Sequence, residues 1–185
     1  AHNINLVSPT QYLPQIVEAI GFALEQGLKI PLVYNTSGYE RAEIIALLEG
    51  IIDIYLPDIK YAVEANAQKY SGAVNYVENN QRALLEMFRQ VGLLKLDKND
   101  IAIQGLIVRH LVLPNDLAHS KDCLKFLSTI SKELSISLMS QYSPQYRAER
   151  YVELNQAVKP EDYQELISFA EELGLDNCWV QEPES

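Results

Sequence analysis

The hydrophobic pattern changes period repeatedly along the chain, alternating short apolar runs of strand type with longer stretches whose apolar residues recur every three or four positions. Asn3 to Val7 reads as a strand and is followed by Leu13, Ile16, Val17, Ile20 and Leu24 at helical spacing, with Pro14 in the first turn. "IPLVYN" (30–35) then precedes a short helix over 41–49, and "IIDIYL" (51–56) precedes helical material from about Val63 that breaks at Ser71 and Gly72 and resumes at Tyr76. "GLIVRHLVLP" (105–114) leads to a helix using Leu124, Leu127, Ile130 and Leu134, with Ser120 as its N-cap. "SISLMSQY" (135–142), a tyrosine-rich loop, a helix opened by Pro160 and a last strand "CWVQ" (178–181) complete the order. Strands that alternate with helices must pair in parallel through right-handed crossovers, because a tight turn cannot join parallel neighbours. The strands are continuous apolar runs, as expected when both faces are covered.

This pattern predicts one α/β domain over 1–185 with a mostly parallel, curved sheet, a partial (βα) barrel. An open dinucleotide-binding sheet is disfavoured. No G-x-G-x-x-G follows a strand, and "NTSGYE" has a single glycine. The 185 residues, 48 % hydrophobic and 22 % charged, suffice for one core and argue against disorder. The net charge of −10 with scattered Lys and Arg disfavours nucleic acid as a partner. No apolar run is long enough for a membrane span, and no signal peptide is visible, which points to a soluble, cytoplasmic protein. Cys123 and Cys178 form no metal motif and read as reduced core thiols. The chain opens at Ala1 without an initiator Met and enters a strand almost at once, so an amino-terminal piece is expected to lie outside it.

Ligands of parallel α/β folds bind where the carboxyl ends of the strands converge. Those ends carry Asn5, Ser8 and Thr10; Asn35, Thr36, Ser37 and Tyr39; Asp58 and Lys60; Arg109 and His110; and Ser140, Gln141 and Tyr142. Five consecutive ends are thus polar or charged, suiting a zwitterionic or hydroxyl-rich small molecule. Asp58 offers a partner for an ammonium or ribose hydroxyl, and Lys60, Arg109 and His110 for a carboxylate. Plainer readings stand beside these. Asp58 and Lys60 form an ion pair at a barrel rim, "NTSGY" is a turn in which Gly38 takes a positive φ, and Tyr142, Tyr146 and Tyr151 cover the barrel bottom or a loop. Arg109 and His110 are neighbours in a strand and point to opposite faces, so one enters the mouth and the other pairs with an acidic helix residue. His2 and His119 read as surface residues.

Taken in order and at their intervals, "IPLVYNTSGYE", "IDIYLPDIKY", "GLIVRHLVLP" and "ISLMSQYSP" resemble the radical S-adenosylmethionine superfamily, in particular the branch similar to pyruvate formate-lyase activating enzymes. "DIK" stands where those enzymes carry Asp-Leu-Lys, "YNTSGY" where they carry a Thr-Asn-Gly-like turn, and "RHLVLP" matches an Arg-x-x-Val-x-Pro strand. The resemblance implies a partial (βα)6 barrel. It also implies a 4Fe-4S cluster held by C-x-x-x-C-x-x-C after the first strand, with S-adenosylmethionine on the open iron. This oxidoreductase chemistry generates a 5′-deoxyadenosyl radical that abstracts hydrogen from a small molecule or a protein such as a glycyl radical enzyme. The sequence departs from the pattern in lacking the cysteine triplet, so the first strand and cluster loop are absent, through cutting of a longer protein or a shortened gene, and the chain alone is expected to be inactive. Carried over by resemblance, Asn35 and Ser37 contact the methionyl or ribose part of the cofactor, and Asp58 and Lys60 orient it. Arg109 reaches its carboxylate or ribose side, and Gln141 flanks the adenine or substrate. Thr10 belongs to a diverged position where Ser8-Pro9-Thr10 replaces Gly-Gly-Glu. Two other functions remain open: a Schiff-base lysine at Lys60 in an aldolase-like barrel, and a non-catalytic binding or scaffold domain.

Overall fold

A computed structural model describes residues 1–180. Among these residues seven strands and six α-helices follow in order: β1 Ile4–Val7, α1 Leu13–Glu25, β2 Leu32–Thr36, α2 Ala42–Ala46, β3 Ile54–Pro57, α3 Glu64–Ser71, α4 Tyr76–Val91, β4 Lys95–Leu96, β5 Ala102–Leu111, α5 Ser120–Ile130, β6 Ser135–Met139, α6 Pro160–Glu172 and β7 Cys178–Val180. The sheet order is β1-β2-β3-β5-β6-β7, every neighbouring pair is parallel, and β1 and β7 are the free edges of an open barrel. The mostly parallel, curved sheet read from the hydrophobic periods is therefore present.

Alternation along each strand divides its side chains between two faces. Tyr34, Tyr55, Leu106, Val108, Ile136 and Leu138 turn outward into one continuous core with the helices. The helices meet them with stripes at three- and four-residue spacing, such as Ala83, Leu84, Met87 and Val91 on α4 or Cys123, Leu124 and Leu127 on α5. Each fully buried leucine of this layer contributes roughly 1.5–3 kcal/mol relative to exposure. The opposite face takes the odd members: Asn35 on β2, Ile107 and Arg109 on β5, Ser137 on β6. A second cluster, built from Tyr61, Ala67, Tyr76, Leu113 and Leu154, lies at the carboxyl end of the sheet.

Several local expectations are corrected. The antiparallel strand β4 pairs with β5 and was not anticipated. It is two residues long, and its chain approaches so closely that a Cβ on Gly105, at φ +127°, would fall 2.5 Å from the Leu94 Cα. The helix expected over 41–49 is regular only over Ala42–Ala46, and Leu134 lies beyond the end of α5, in the buried approach to β6. Ser120 is the first helical residue rather than the cap: its amide is received by Asp116 Oδ1 at 3.0 Å, and its hydroxyl turns to His110. The tyrosine-rich loop covers the carboxyl end rather than the bottom, where Tyr142 donates to Leu154 O and Tyr151 to Lys69 O, while Tyr146 is exposed. Gln181, the last residue of the expected final strand, lies outside the described residues.

Candidate functional site

The chain turns Asp58 and Lys60 inward because Ile59, between them, turns outward into the core, where it is 1 % exposed. Asp58 lies beside Arg109 in a parallel bridge just beyond β3, and Ile59 N–H donates to Arg109 O at 2.9 Å. The side chains then meet. Arg109 Nε donates to Asp58 Oδ1 at 2.8 Å, Arg109 Nη2 lies 2.7 Å from the same oxygen and donates to Asn35 Oδ1 at 2.8 Å, and Lys60 Nζ lies 3.0 Å from Asp58 Oδ2. Side-chain exposures of 16 % for Asp58, 27 % for Arg109 and 38 % for Lys60 place the group in a partly desolvated mouth, where ion pairs are stronger than at an open surface. The rim ion pair read from the sequence is present, and Arg109 joins it.

The internal bonds leave a biased remainder. Among the described residues no hydrogen bond uses Arg109 Nη1 or Asn35 Nδ2, and Lys60 Nζ is engaged by one carboxylate oxygen. All three are donors. One carboxylate against an ammonium and a guanidinium leaves the group with a formal charge of −1 + 1 + 1 = +1.

The other candidate residues are placed differently. Thr10 donates to Glu40 Oε1 at 2.6 Å and lies 3.2 Å from the Tyr34 hydroxyl, while Thr36 donates to the same Glu40 oxygen at 2.6 Å. Tyr34 and Thr36 occupy the helix side of β2, so Thr10 belongs to a network on the opposite face of that strand from Asn35. Burial, the largest cause, pushes the Tyr34 hydroxyl up to about 12. Ser37 is exposed and makes no hydrogen bond to the Asp58–Arg109 group, and Gln141 is exposed with, among the described residues, one long contact to Met139 Sδ. Glu40, 5 % exposed, was not anticipated. It is the first acid after β2, four residues beyond Thr36, and that local spacing was the available signal.

His110 points to the opposite face from Arg109, as the alternation requires, and is buried there, but it pairs with no acid. Nδ1 lies 2.7 Å from Ile59 O and Nε2 lies 2.8 Å from Ser120 Oγ. A carbonyl only accepts, so Nδ1 carries the proton and Nε2 accepts from Ser120. Desolvation lowers its pKa, against the hydrogen bond to Ile59 and the charges of Asp116 and Asp58, which raise it. The unfolded chain, with histidine near 6.5, then binds more protons than the native one at mildly acidic pH. Stability contributed by neutral His110 is present above about pH 6.5 and is lost as pH falls towards the lower folded value, by up to roughly 1.4 kcal/mol per pH unit. Urea unfolding at pH 7.5 and 5.5 is expected to show this loss, and His110→Gln to flatten it.

The two cysteines do not form a cluster site. Cys123 is buried among helix residues, with its thiol pushed up by burial, and Cys178 on β7 is pushed up to about 11 for the same reason. Iron-sulfur ligation needs thiolates. Among the described residues no group of three His, Cys, Asp or Glu is placed to hold a metal ion, and no helix is long and apolar enough to cross a membrane. Lys60 is engaged by Asp58 rather than held unpaired in an apolar pocket, which leaves the Schiff-base chemistry without support.

No protein-family model matches the sequence. An uncharacterized protein of Methanocaldococcus jannaschii is 30 % identical over 181 residues, covering 94 % of this chain and 47 % of its own length, so the chain spans about half of that relative. A crystal structure of a domain of pyruvate-formate lyase-activating enzyme from Bacteroides vulgatus superposes with a TM-score of 0.62 at 13 % identity, over 97 % of this chain and 98 % of that domain. The two share a fold. That likeness agrees with the partial barrel read from the strand order.

Proposed function

We propose that the chain is the cofactor-facing part of a radical S-adenosylmethionine enzyme of the activating-enzyme type, and that its mouth holds the amino-acid end of S-adenosylmethionine. The observation that carries this reading is the unspent donor set. Arg109 Nη1, Lys60 Nζ and Asn35 Nδ2 suit a carboxylate, and Asp58 supplies the acceptor for an ammonium. The shared fold with a pyruvate-formate lyase-activating enzyme domain supports the general class.

The residues fit S-adenosylmethionine but not the cluster, whose three thiolates this chain of two cysteines does not contain. In a longer protein that also carried a 4Fe-4S cluster, S-adenosylmethionine would supply the oxidising power for hydrogen abstraction from a protein such as a glycyl radical enzyme or from a small molecule. The part of this chain's own residues is to bind and orient. Arg109 is anchored by Asp58 and Asn35 and is therefore held ready rather than ordered on binding, and Lys60 is tethered in the same way.

Equilibrium dialysis against S-adenosylmethionine tests the reading. Saturable binding to the 185-residue chain is expected, weakened about tenfold to a hundredfold by Arg109→Met, which removes a charge-assisted hydrogen bond worth roughly 1.5–3 kcal/mol. Absence of saturable binding, or equal affinity in the variant, overturns it.

A further inference from the structure

The segment Asp58-Ile59-Lys60 has an unusual backbone. It ends a strand, where peptide groups ordinarily turn to water or to the next turn, yet five of its six backbone polar groups are met inside the protein. Asp58 N–H donates to Thr36 O at 3.0 Å, and Ile59 N–H to Arg109 O at 2.9 Å. The other three are met by side chains. Asn80 Nδ2 donates to Asp58 O at 2.9 Å, His110 Nδ1 donates to Ile59 O at 2.7 Å, and Lys60 N–H donates to the Tyr76 hydroxyl at 2.8 Å. Asn80, Tyr76 and His110 are all 3 % exposed or less.

Two further facts separate this arrangement from ordinary core satisfaction. The Asn80 amide also donates to Gly38 O at 2.9 Å, so one side chain on α4 joins the loop after β2 to the tip of β3. Its own Oδ1 receives no hydrogen bond, and among the described residues it is the buried side-chain polar atom left in that state. Buried polar atoms are rarely left so, and each calls for an explanation. Here both protons of the amide are committed to the two loops at the acceptor's expense. Meanwhile His110, one residue from Arg109, grips the carbonyl between Asp58 and Lys60. The three clamping groups meet this segment through its backbone only, which leaves the Asp58 side chain to Arg109 and Lys60.

We propose that His110, Asn80 and Tyr76 are positioning residues of the mouth. They fix the backbone of the Asp58–Lys60 tip from the helix side, so that its two charged side chains stand in register with Arg109 before any ligand arrives. The ligand chemistry rests on the reading of the mouth given above, but the clamp itself does not. Binding groups need to be held within about half an ångström by packing and second hydrogen bonds, and a tip free to move by that much would lose bonds of 2.7–3.0 Å.

The two nitrogens of His110 allow a test that plain destabilisation cannot imitate. His110→Asn places an amide N–H near the position of Nδ1 and keeps the Ile59 bond while losing Ser120; His110→Gln reaches towards Ser120 and frees the Ile59 carbonyl. Three quantities are read on the 185-residue chain: the urea midpoint, the exchange rate of the Arg109 Nε–H by nitrogen-15 NMR, and the affinity for S-adenosylmethionine. Comparable loss of midpoint is expected in both variants. In His110→Gln, Arg109 Nε–H exchange is expected to rise about tenfold and affinity to fall about tenfold, with His110→Asn within about twofold of wild type in both. Equal exchange rates in the two variants overturn the proposal. Divergent exchange with no binding of S-adenosylmethionine by any form upholds the clamp and rejects the ligand reading. Should neither His110 variant fold, Tyr76→Phe, which keeps the ring, is expected to speed exchange of the Lys60 backbone amide and Arg109 Nε–H about tenfold, and unchanged rates of both overturn the proposal.

Discussion

Gly38→Ala is expected to destabilise the protein by about 3–5 kcal/mol, a large share of the roughly 5–15 kcal/mol available to a domain of this kind. Gly38 sits at φ +74°, where an alanine already carries the strain of the left-handed region. Its surroundings add a second cost. A Cβ there would fall 2.0 Å from Asp58 O and 2.4 Å from Asn80 Nδ2. The first is backbone in the most tightly held turn of the site, and the second is a buried amide already committed to two carbonyls. Neither can move without releasing the tip that carries Asp58 and Lys60. The variant is therefore expected to lose both stability, read as the urea midpoint, and order at Arg109, read as its Nε–H exchange. A midpoint within about 1 kcal/mol of wild type contradicts the close packing of the loops after β2 and β3.

Asp58→Ala is expected to cost about 2–3 kcal/mol. The carboxylate takes two contacts from Arg109 and one from Lys60, and its removal leaves a guanidinium and an ammonium facing each other in a partly closed space. Breaking a buried pair costs roughly 3–5 kcal/mol, but the exposure of Arg109 and Lys60 lets water screen part of the repulsion. Removing Arg109 as well takes away one of the stranded charges. The double variant Asp58→Ala, Arg109→Met is accordingly expected to be more stable than the sum of the two single losses by about 1–2 kcal/mol. Strict additivity would mean that the pair seen at 2.7–2.8 Å carries no energy. Asp58→Ala is also expected to be less stable at low salt than at high salt, relative to wild type, because added ions screen the uncompensated positive charge.

The parts of the architecture that were legible in the sequence are those governed by period. The continuous apolar runs around Tyr34, Tyr55, Val108 and Ile136 mark strands buried by helices, and the three- and four-residue spacing of Leu84, Met87 and Val91 marks the helix that buries them. Asp58, Lys60, Asn35 and Arg109 were legible for the same reason, since alternation within a strand and parallel pairing between strands are enough to set them on one face at one end. What depends on contact between distant elements left no such trace. The strand β4 is two exposed residues whose pairing follows from Gly105 accepting close backbone approach. Ser120 has the composition of an N-cap, but the proximity of His110 captures its hydroxyl. Asn80 and Tyr76 lie within α4, where an asparagine and a tyrosine read as ordinary helix residues, and only the folded chain shows them holding the tip of β3. Thr10 looked like a member of the mouth because it follows β1, yet its hydrogen bonds lead through Glu40 to Thr36 on the other face of β2.

If the tips of β2, β3 and β5 jointly offer donors to the carboxylate of one ligand, a nitrogen-15 NMR titration of the chain with S-adenosylmethionine shows it. Saturable shifts with a single dissociation constant are expected at the Asn35 side-chain amide, the Lys60 ammonium and the Arg109 guanidinium. Shifts at none of the three, or separate dissociation constants for them, would contradict it.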